Sequence, residues 1–367
     1  MGCKRKQSGA AMQRRKSIEV KIGHVGIGGD NPVRVQSMTN TDTRDSEATL
    51  EQIKQLARAG CEVVRVAVPD QEAVSGLREI VLYSELPVVA DIHFDHRLAL
   101  GAIESGVHGL RLNPGNIGDE SRVNRVVDAA KSARIPVRIG VNSGSIDRKI
   151  LKKYGGPTAE AMVESALEHI RFLENRNFNL IKISLKSSSV QNTIEAYRLM
   201  AEKRDYPLHI GITEAGTPFR GAIKSGVGLG ILLYLGLGDT LRVSLTGNPV
   251  AEMPVAWEIL RSLGIRQRGP EIISCPTCGR TEIDLVNMAT AVEDRLQDVE
   301  QVFTVAVMGC VVNGPGEARE ADIGLAGGRD CGIIFKKGQV VRKVRGQSLL
   351  QEFMKELDNY LESSMND

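Results

Sequence analysis

Aromatic residues are scarce in this chain: 4% of 367, with a single tryptophan. Proteins that hold single strands of nucleic acid stack bases on aromatic platforms, so that role is excluded. Charge of one sign is missing as well. Lys and Arg exceed Asp and Glu only by 47 to 45, and six of the basic residues (Lys4, Arg5, Lys6, Arg14, Arg15, Lys16) crowd the first sixteen positions. The remaining chain carries a net −4, and nothing in it resembles a nucleic-acid face. Long hydrophobic runs are absent. The longest, Gly226 to Gly238, is laced with glycine and too short to span a bilayer. No apolar segment follows the N-terminal basic residues, as a secretory signal requires. Gly2-Cys3 is followed by Lys6 where a myristoylation motif wants Ser or Thr. Six cysteines are too few for a disulfide framework. These absences predict a cytoplasmic protein with neither nucleic acid nor membrane as partner, its cysteines kept for a metal. Residues 1–16 read as a disordered basic tail.

What is present is alternation. Between residues 33 and 245, short β-branched runs alternate with longer amphipathic stretches. Eight strands are expected, at 33–38, 62–68, 87–91, 109–113, 136–141, 180–184, 207–212 and 240–244, several introduced by Pro or Gly. Eight βα units in about 210 residues predict an α/β fold, a closed (β/α)8 TIM-type barrel over residues 17–265. An open doubly wound sheet is the alternative. Residues 17–32 carry two extended runs that suit a hairpin closing the barrel's bottom. After a break at Arg266–Pro270 the pattern changes. A helix at 281–297, strands at 302–308, 322–326, 332–335 and 340–344, and an amphipathic helix at 348–361 predict a small α+β domain over residues 270–367.

A barrel of this kind gathers its chemistry at the C-terminal ends of its strands, and those ends are polar here. They carry Arg65, Asp91 with His93, Arg111 and Asn113, Arg138 and Asn142, Lys182, Ser184 and Lys186, Thr213-Glu214, and Arg242 with Ser244. Any one arginine could be a salt bridge or a side chain reaching to solvent. Four arginines and Lys186 near one rim imply a ligand with several negative charges, and guanidinium forks suit phosphate oxygens. A diphosphate is the expected anion; a bisphosphate remains open. Glu214 is the acid placed to give or take a proton, with a counter-ion role as its plain alternative. His93 positions substrate or caps the following helix.

The last quarter carries C-P-T-C-G-R (275–280) and M-G-C-V-V-N-G-P-G-E (308–317). Cys275, Cys278 and Cys310 can hold three corners of a four-iron cluster, leaving the fourth iron to a weaker ligand, for which Glu317 is placed. The competing reading is a structural zinc site completed by Cys331. The glycine-rich turn around Cys310 favours a bulky cofactor that the backbone must approach closely. Cys331 and Cys61 read as buried core. A phosphate-binding barrel of the pterin-synthase kind with a structural metal domain, and a zinc-stabilised binding module, are the other functional classes left open.

Taken with V-Q-S-M-T-N-T-D-T (35–43), D-I-H-F-D-H-R-L-A-L (91–100), R-L-N-P-G-N-I-G (111–118), R-I-G-V-N-S-G (138–144) and G-I-T-E-A-G-T (211–217), these motifs resemble the hydroxymethylbutenyl diphosphate synthases, iron–sulfur enzymes of isoprenoid biosynthesis. The resemblance spans nearly the whole chain after residue 17. It implies a [4Fe-4S] cluster on Cys275, Cys278 and Cys310 with Glu317 on the fourth iron. It implies a cyclic diphosphate of methylerythritol gripped by Arg111, Arg138, Asn142, Lys186, Arg242 and Ser244, with Glu214 facing the reacting hydroxyl. Reduced ferredoxin or flavodoxin would supply the electrons. A homodimer is expected, in which the small domain of one subunit covers the barrel of the other. One departure is Ser189, where the family often has Asp.

Overall fold

The computed structural model describes residues 13–93, 95–112, 120–310, 318–345 and 348–364. The chain divides into two compact units, the first running to Arg266 and the second beginning at Gln267. In the first, β1 (Val20–Ile22) and β2 (Val25–Ile27) form an antiparallel hairpin. Eight parallel strands follow: β3 (Arg34–Met38), β4 (Val63–Ala67), β5 (Val88–Asp91), β6 (Gly109–Leu112), β7 (Val137–Asn142), β8 (Ile181–Lys186), β9 (His209–Ile210) and β10 (Thr240–Leu241). Each strand pairs with its neighbour in sequence from β3 to β8; β10 pairs with both β9 and β3. The bridge between Ile183 and Leu208 joins β8 to the segment entering β9, so the sheet closes. All eight expected strands are present, and the open sheet is ruled out.

Helices α1 (Ser46–Arg58), α2 (Gln71–Tyr83), α3 (His96–Glu104), α4 (Glu120–Ala133), α5 (Arg148–Tyr154), α6 (Ala159–Glu174), α7 (Val190–Ala201), α8 (Pro218–Tyr234) and α9 (Glu252–Ser262) connect and follow the strands. Their starts are written in the sequence. Asp45, Asp70, Asp95, Asp147, Thr158 and Ser189 each accept a backbone N–H from the first turn that follows. Such a cap is worth about 1 kcal/mol. Ser189 thus fills the capping place that an Asp would fill, and Asp95, not His93, caps α3.

Strand parity decides what the barrel holds. One set of alternate residues, including Val64, Val66, Ala90, Leu110, Ile139, Val141, Ile183, Leu185, Ile210 and Val243, packs under the helices in the large apolar core. The opposite set faces inward. At the bottom it is apolar: Val63 and Val89 pack against Val20, Ile22, Val25 and Ile27, so the hairpin plugs that end. Above the plug the inward set is polar.

Of the disordered tail expected for residues 1–16, residues 1–12 lie outside the described residues, and Arg14 and Arg15 depart from the expectation. Arg14 pairs with the buried Asp239 at 3.2 Å, and the Arg15 guanidinium donates to the carbonyls of Arg204 and Tyr206 at 3.0 and 2.7 Å. Backbone carbonyls and a buried carboxylate far along the chain hold these two arginines, which composition alone cannot reveal.

The second unit has one five-stranded sheet, ordered β11 (Glu271–Ser274), β12 (Thr304–Met308), β13 (Ile323–Ala326), β14 (Cys331–Lys336) and β15 (Gln339–Arg345). The first three strands are parallel and the last two antiparallel. Helices α10 (Leu285–Leu296) and α11 (Leu349–Ser364) pack Val292, Leu296, Leu349, Phe353 and Leu357 onto Val305, Val307, Leu325 and Ile334. The strand β11 was not expected. Its four residues alternate little and are partly exposed, so they leave a weak pattern.

Candidate active site

Inside the barrel the inward positions bring six cations together: Arg65, Arg111, Arg138, Lys182, Lys186 and Arg242. Register sets part of the cluster, because Arg138 on β7 stands beside Arg111 on β6 and Lys182 on β8. Two inward rungs higher, past Gly140 beside Ser184, Asn142 stands beside Lys186. Two glycines make the room. A Cβ on Gly140 would lie 2.8 Å from Arg111 Nε, and one on Gly211 would lie 2.8 Å from Lys186 Nζ.

Among the described residues three carboxylates act on these six charges: Asp91, Glu252 and, on Lys182, the buried Asp239. Asp91 lies 3.3 Å from Arg65 and 3.0 Å from Arg111. Burial alone would raise its carboxyl, but Arg65, His93, Arg111 and Arg138 outweigh that and hold it far below the usual carboxylate range. Glu252, at the start of α9, lies 3.4 Å from Arg242. Burial lowers Arg65 to about 10 despite Asp91. It drives Arg138 and Lys186 well below their ordinary values, and the neighbouring cations push the same way. Arg138 is 3% exposed, and among the described residues its Nε and Nη1 have no hydrogen-bond partner; neither has Arg111 Nε. Buried donors without partners cost one to several kcal/mol each. A site that keeps three in one place is built for a ligand rich in acceptors.

Lys186 Nζ lies 3.3 Å from Nε2 of His209, whose Nδ1 lies 2.9 Å from Thr240 Oγ1. Burial and the surrounding cations lower His209 well below its ordinary value. It is therefore neutral, accepting from Lys186 and donating to Thr240.

Glu214 follows β9 on an exposed turn with φ +51°. A β-unbranched acid held in the left-handed region is strained, and such strain collects at functional sites. Ser244 is half-buried on the turn after β10. Asn113 lies outside the described residues. His93 is near Asp91 at 3.6 Å and beside Arg111. Sequence reading thus found the cations and missed Glu252 and His209. Glu252 comes from the helix after the last strand and reads as an ordinary first-turn acid. His209 could have been found from parity with Gly211.

In the second unit, Cys275 directly follows β11 and Cys310 leaves β12. These are adjacent parallel strands with Ser274 opposite Val307, so both thiols sit at one end of the sheet. The Gly309 N–H donates to Cys275 Sγ at 3.2 Å. Cys278 N donates to Thr281 Oγ1, Thr281 N to the Cys278 carbonyl, and Glu282 N to the Gly309 carbonyl. The two loops are therefore laced together. The backbone N–H of Arg280, then its side chain, lowers the Cys278 thiol and favours thiolate. All three thiols are free. Among the described residues no three His, Cys, Asp or Glu side chains converge as they would around one ion. Glu317 lies outside the described residues. Free thiols on laced loops, one with an amide aimed at its sulfur, fit the donor set of an iron–sulfur cluster. Cys61 is buried, its thiol pushed up to about 12 by burial. Cys331 is exposed at the start of β14, which corrects its reading as core.

Among the described residues no helix is long and apolar enough to cross a membrane. Residues 17–257 match the GcpE TIM-barrel domain, and residues 271–359 the GcpE protein C-terminal domain. A protein of Maridesulfovibrio salexigens named 4-hydroxy-3-methylbut-2-en-1-yl diphosphate synthase (flavodoxin) is 68% identical over 95% of this chain and 98% of its own length. Proteins of the same name from Nitratidesulfovibrio vulgaris and Clostridium acetobutylicum are 65% and 59% identical, each over 95% of this chain and over 91% and 100% of their own lengths. Dihydropteroate synthase of Xanthomonas albilineans, a solved structure, is 14% identical over 68% of this chain and 99% of its own, with a TM-score of 0.48. Matched by both domain models and by relatives at such identity over nearly their whole length, the chain belongs to the GcpE family.

Proposed function

We propose that the barrel binds 2-C-methyl-D-erythritol 2,4-cyclodiphosphate and that the enzyme opens its ring reductively to 4-hydroxy-3-methylbut-2-enyl diphosphate, an oxidoreductase step in isoprenoid biosynthesis. The observation that carries this reading is the excess of buried cations above the hairpin plug, with Arg138 and Arg111 donors left unpartnered among the described residues. Arg138, Lys186 and the inner edges of Arg65, Arg111 and Arg242 hold the diphosphate, and Asn142 and Ser244 bond its rim. Such forks fix orientation as well as charge, which keeps the carbinol carbons in one pose. Glu214 stands above them and delivers the proton with which the departing hydroxyl becomes water.

Members of this family are iron–sulfur proteins. For this chain we assign a [4Fe-4S] cluster to Cys275, Cys278 and Cys310, with Glu317 as the exchangeable fourth ligand. When bound, it would relay the two electrons of the reaction, one at a time, from the external donor and would offer a Lewis-acid iron. Flavodoxin, which the relatives' names carry, is the assigned electron donor.

The test is anaerobic turnover of the cyclodiphosphate with reduced flavodoxin. The linear diphosphate and water are the expected products. In Glu214→Gln, kcat should drop at least a hundredfold while pyrophosphate still binds; unchanged turnover would remove Glu214 from the chemistry.

A homodimer whose cluster domain serves the partner's barrel is part of the same reading. Its support is α8, where Phe219, Ile223, Val227 and Ile231, with Leu235 just past the last turn, form an exposed apolar stripe spaced every four residues. Mixing a barrel-dead variant with a cluster-dead one should restore activity if the site is shared between subunits, and should restore none if it is not.

A further inference from the structure

We propose that Glu252 is a positioning residue for the diphosphate, acting through Arg242. The inference rests on the diphosphate reading of the barrel. Glu252 is 1% exposed at the first position of α9. Its Oε1 accepts from Leu245 N at 3.1 Å and its Oε2 from Ser37 Oγ at 3.1 Å. Both oxygens face one edge of the Arg242 guanidinium, Nη2 and Nε each at 3.4 Å. One carboxylate thus ties together β3, the turn that carries Ser244, and the arginine between them. A guanidinium held along one edge by both oxygens has its plane fixed.

The opposite edge of Arg242 faces the barrel axis. Its Nη1 lies 3.5 Å from Met38 Sδ, and Arg65 reaches the same sulfur with Nε at 3.2 Å and Nη2 at 2.9 Å. A thioether is a weak acceptor, so two guanidiniums converge where a phosphate oxygen bonds far better. Glu252 keeps Arg242 in that convergence. Asp91 acts on Arg138 as well, but Nε and Nη1 of Arg138 have no hydrogen-bond partner among the described residues, so the cluster divides into cations that are aimed and cations that keep free donors.

Charge and position predict opposite results, which makes the inference decidable. If Glu252 acted only as a negative charge, its neutralisation would tighten anion binding. If it positions Arg242, neutralisation loosens binding. The experiment is calorimetric titration of pyrophosphate into the full-length, cluster-loaded protein at fixed ionic strength. Wild type would be compared with Glu252→Gln, Arg242→Gln and the double variant. Glu252→Gln is expected to weaken binding about tenfold and to raise KM for the cyclodiphosphate with kcat little changed. In the Arg242→Gln background it should add no further loss, since groups acting as one unit are not additive. Tighter or unchanged binding in Glu252→Gln, or losses that multiply in the double variant, would overturn the proposal. Unchanged binding in Arg242→Gln would instead overturn the diphosphate assignment at that residue. Ser37→Ala removes a single bond to Glu252 and serves if Glu252→Gln does not fold. It should weaken binding about twofold only while Arg242 is present, and no change would again sink the idea.

Discussion

In the barrel the cations stand on strands or just beyond them, and burial depresses the basicity of Arg138 and Lys186; in the C-terminal unit the thiols stand on loops, are partly exposed, and Cys278 is tuned by a neighbouring amide and arginine. The difference follows from what each must hold. A small anion has to be gripped from all sides in a dry cavity, where fixed dipoles and charges act strongly. Strands in register can place donors on that scale. A metal cluster brings its own charge and needs thiols that close around it, so loops laced by amide bonds suffice. Strand register sets the barrel's donors. The thiol site is expected to be completed by its cofactor.

That contrast can be broken most severely at the thiols. Cys310→Ala should lose most of its iron and acid-labile sulfide, and turnover with them, while pyrophosphate binding to the barrel stays within about twofold of wild type. Full metal content in this variant would remove Cys310 from the ligand set. The next effect is the converse. Lys186→Met should weaken pyrophosphate binding about a hundredfold and leave iron and sulfide untouched. It should also raise stability by about 1 kcal/mol, since an apolar group replaces a buried amino group; a lower melting temperature would show that Lys186 supports the fold. A smaller effect concerns protons. Burial and neighbouring cations lower Lys186 and His209, so a bound diphosphate must raise both. Binding should take up to about one proton from solution, read as a dependence of binding enthalpy on the buffer. Without ligand, the unfolded chain binds more protons than the folded one between the lowered and ordinary values, so stability should rise with pH across that window. The smallest effect is at Ser189→Asp. The cap on α7 survives, so stability should move by less than about 0.5 kcal/mol, checked by thermal melting.

Much of the barrel was legible because two periods coincide in it. Alternation at every second residue put Val64, Val66, Ile139 and Ile183 on one side and Arg65, Arg138, Gly140 and Lys182 on the other, and helical periods separated the strands. The cysteine motifs were legible as chemistry, though their closeness depends on β11, whose four residues carry almost no pattern. Glu252 and Arg15 were not legible. Each acts far along the chain, on Ser37 and on the carbonyls of Arg204 and Tyr206, and such partnerships exist only once the barrel has closed.

Closure itself is uneven. Strands β9 and β10 have two residues each, and β8 meets the next segment through one bridge at Ile183 and Leu208. The N-terminal segment crosses just there. Arg15 holds the carbonyls of Arg204 and Tyr206, Ile18 N donates to the Asp205 carbonyl, and Ser17 joins Leu208 N on Asp239. Residues 14–18 therefore work as a clasp over the weakest joint of the ring. Trimming the chain to Ile18 would unfasten the stave that carries His209, and with it the seat of Lys186, without touching a single residue of the mouth.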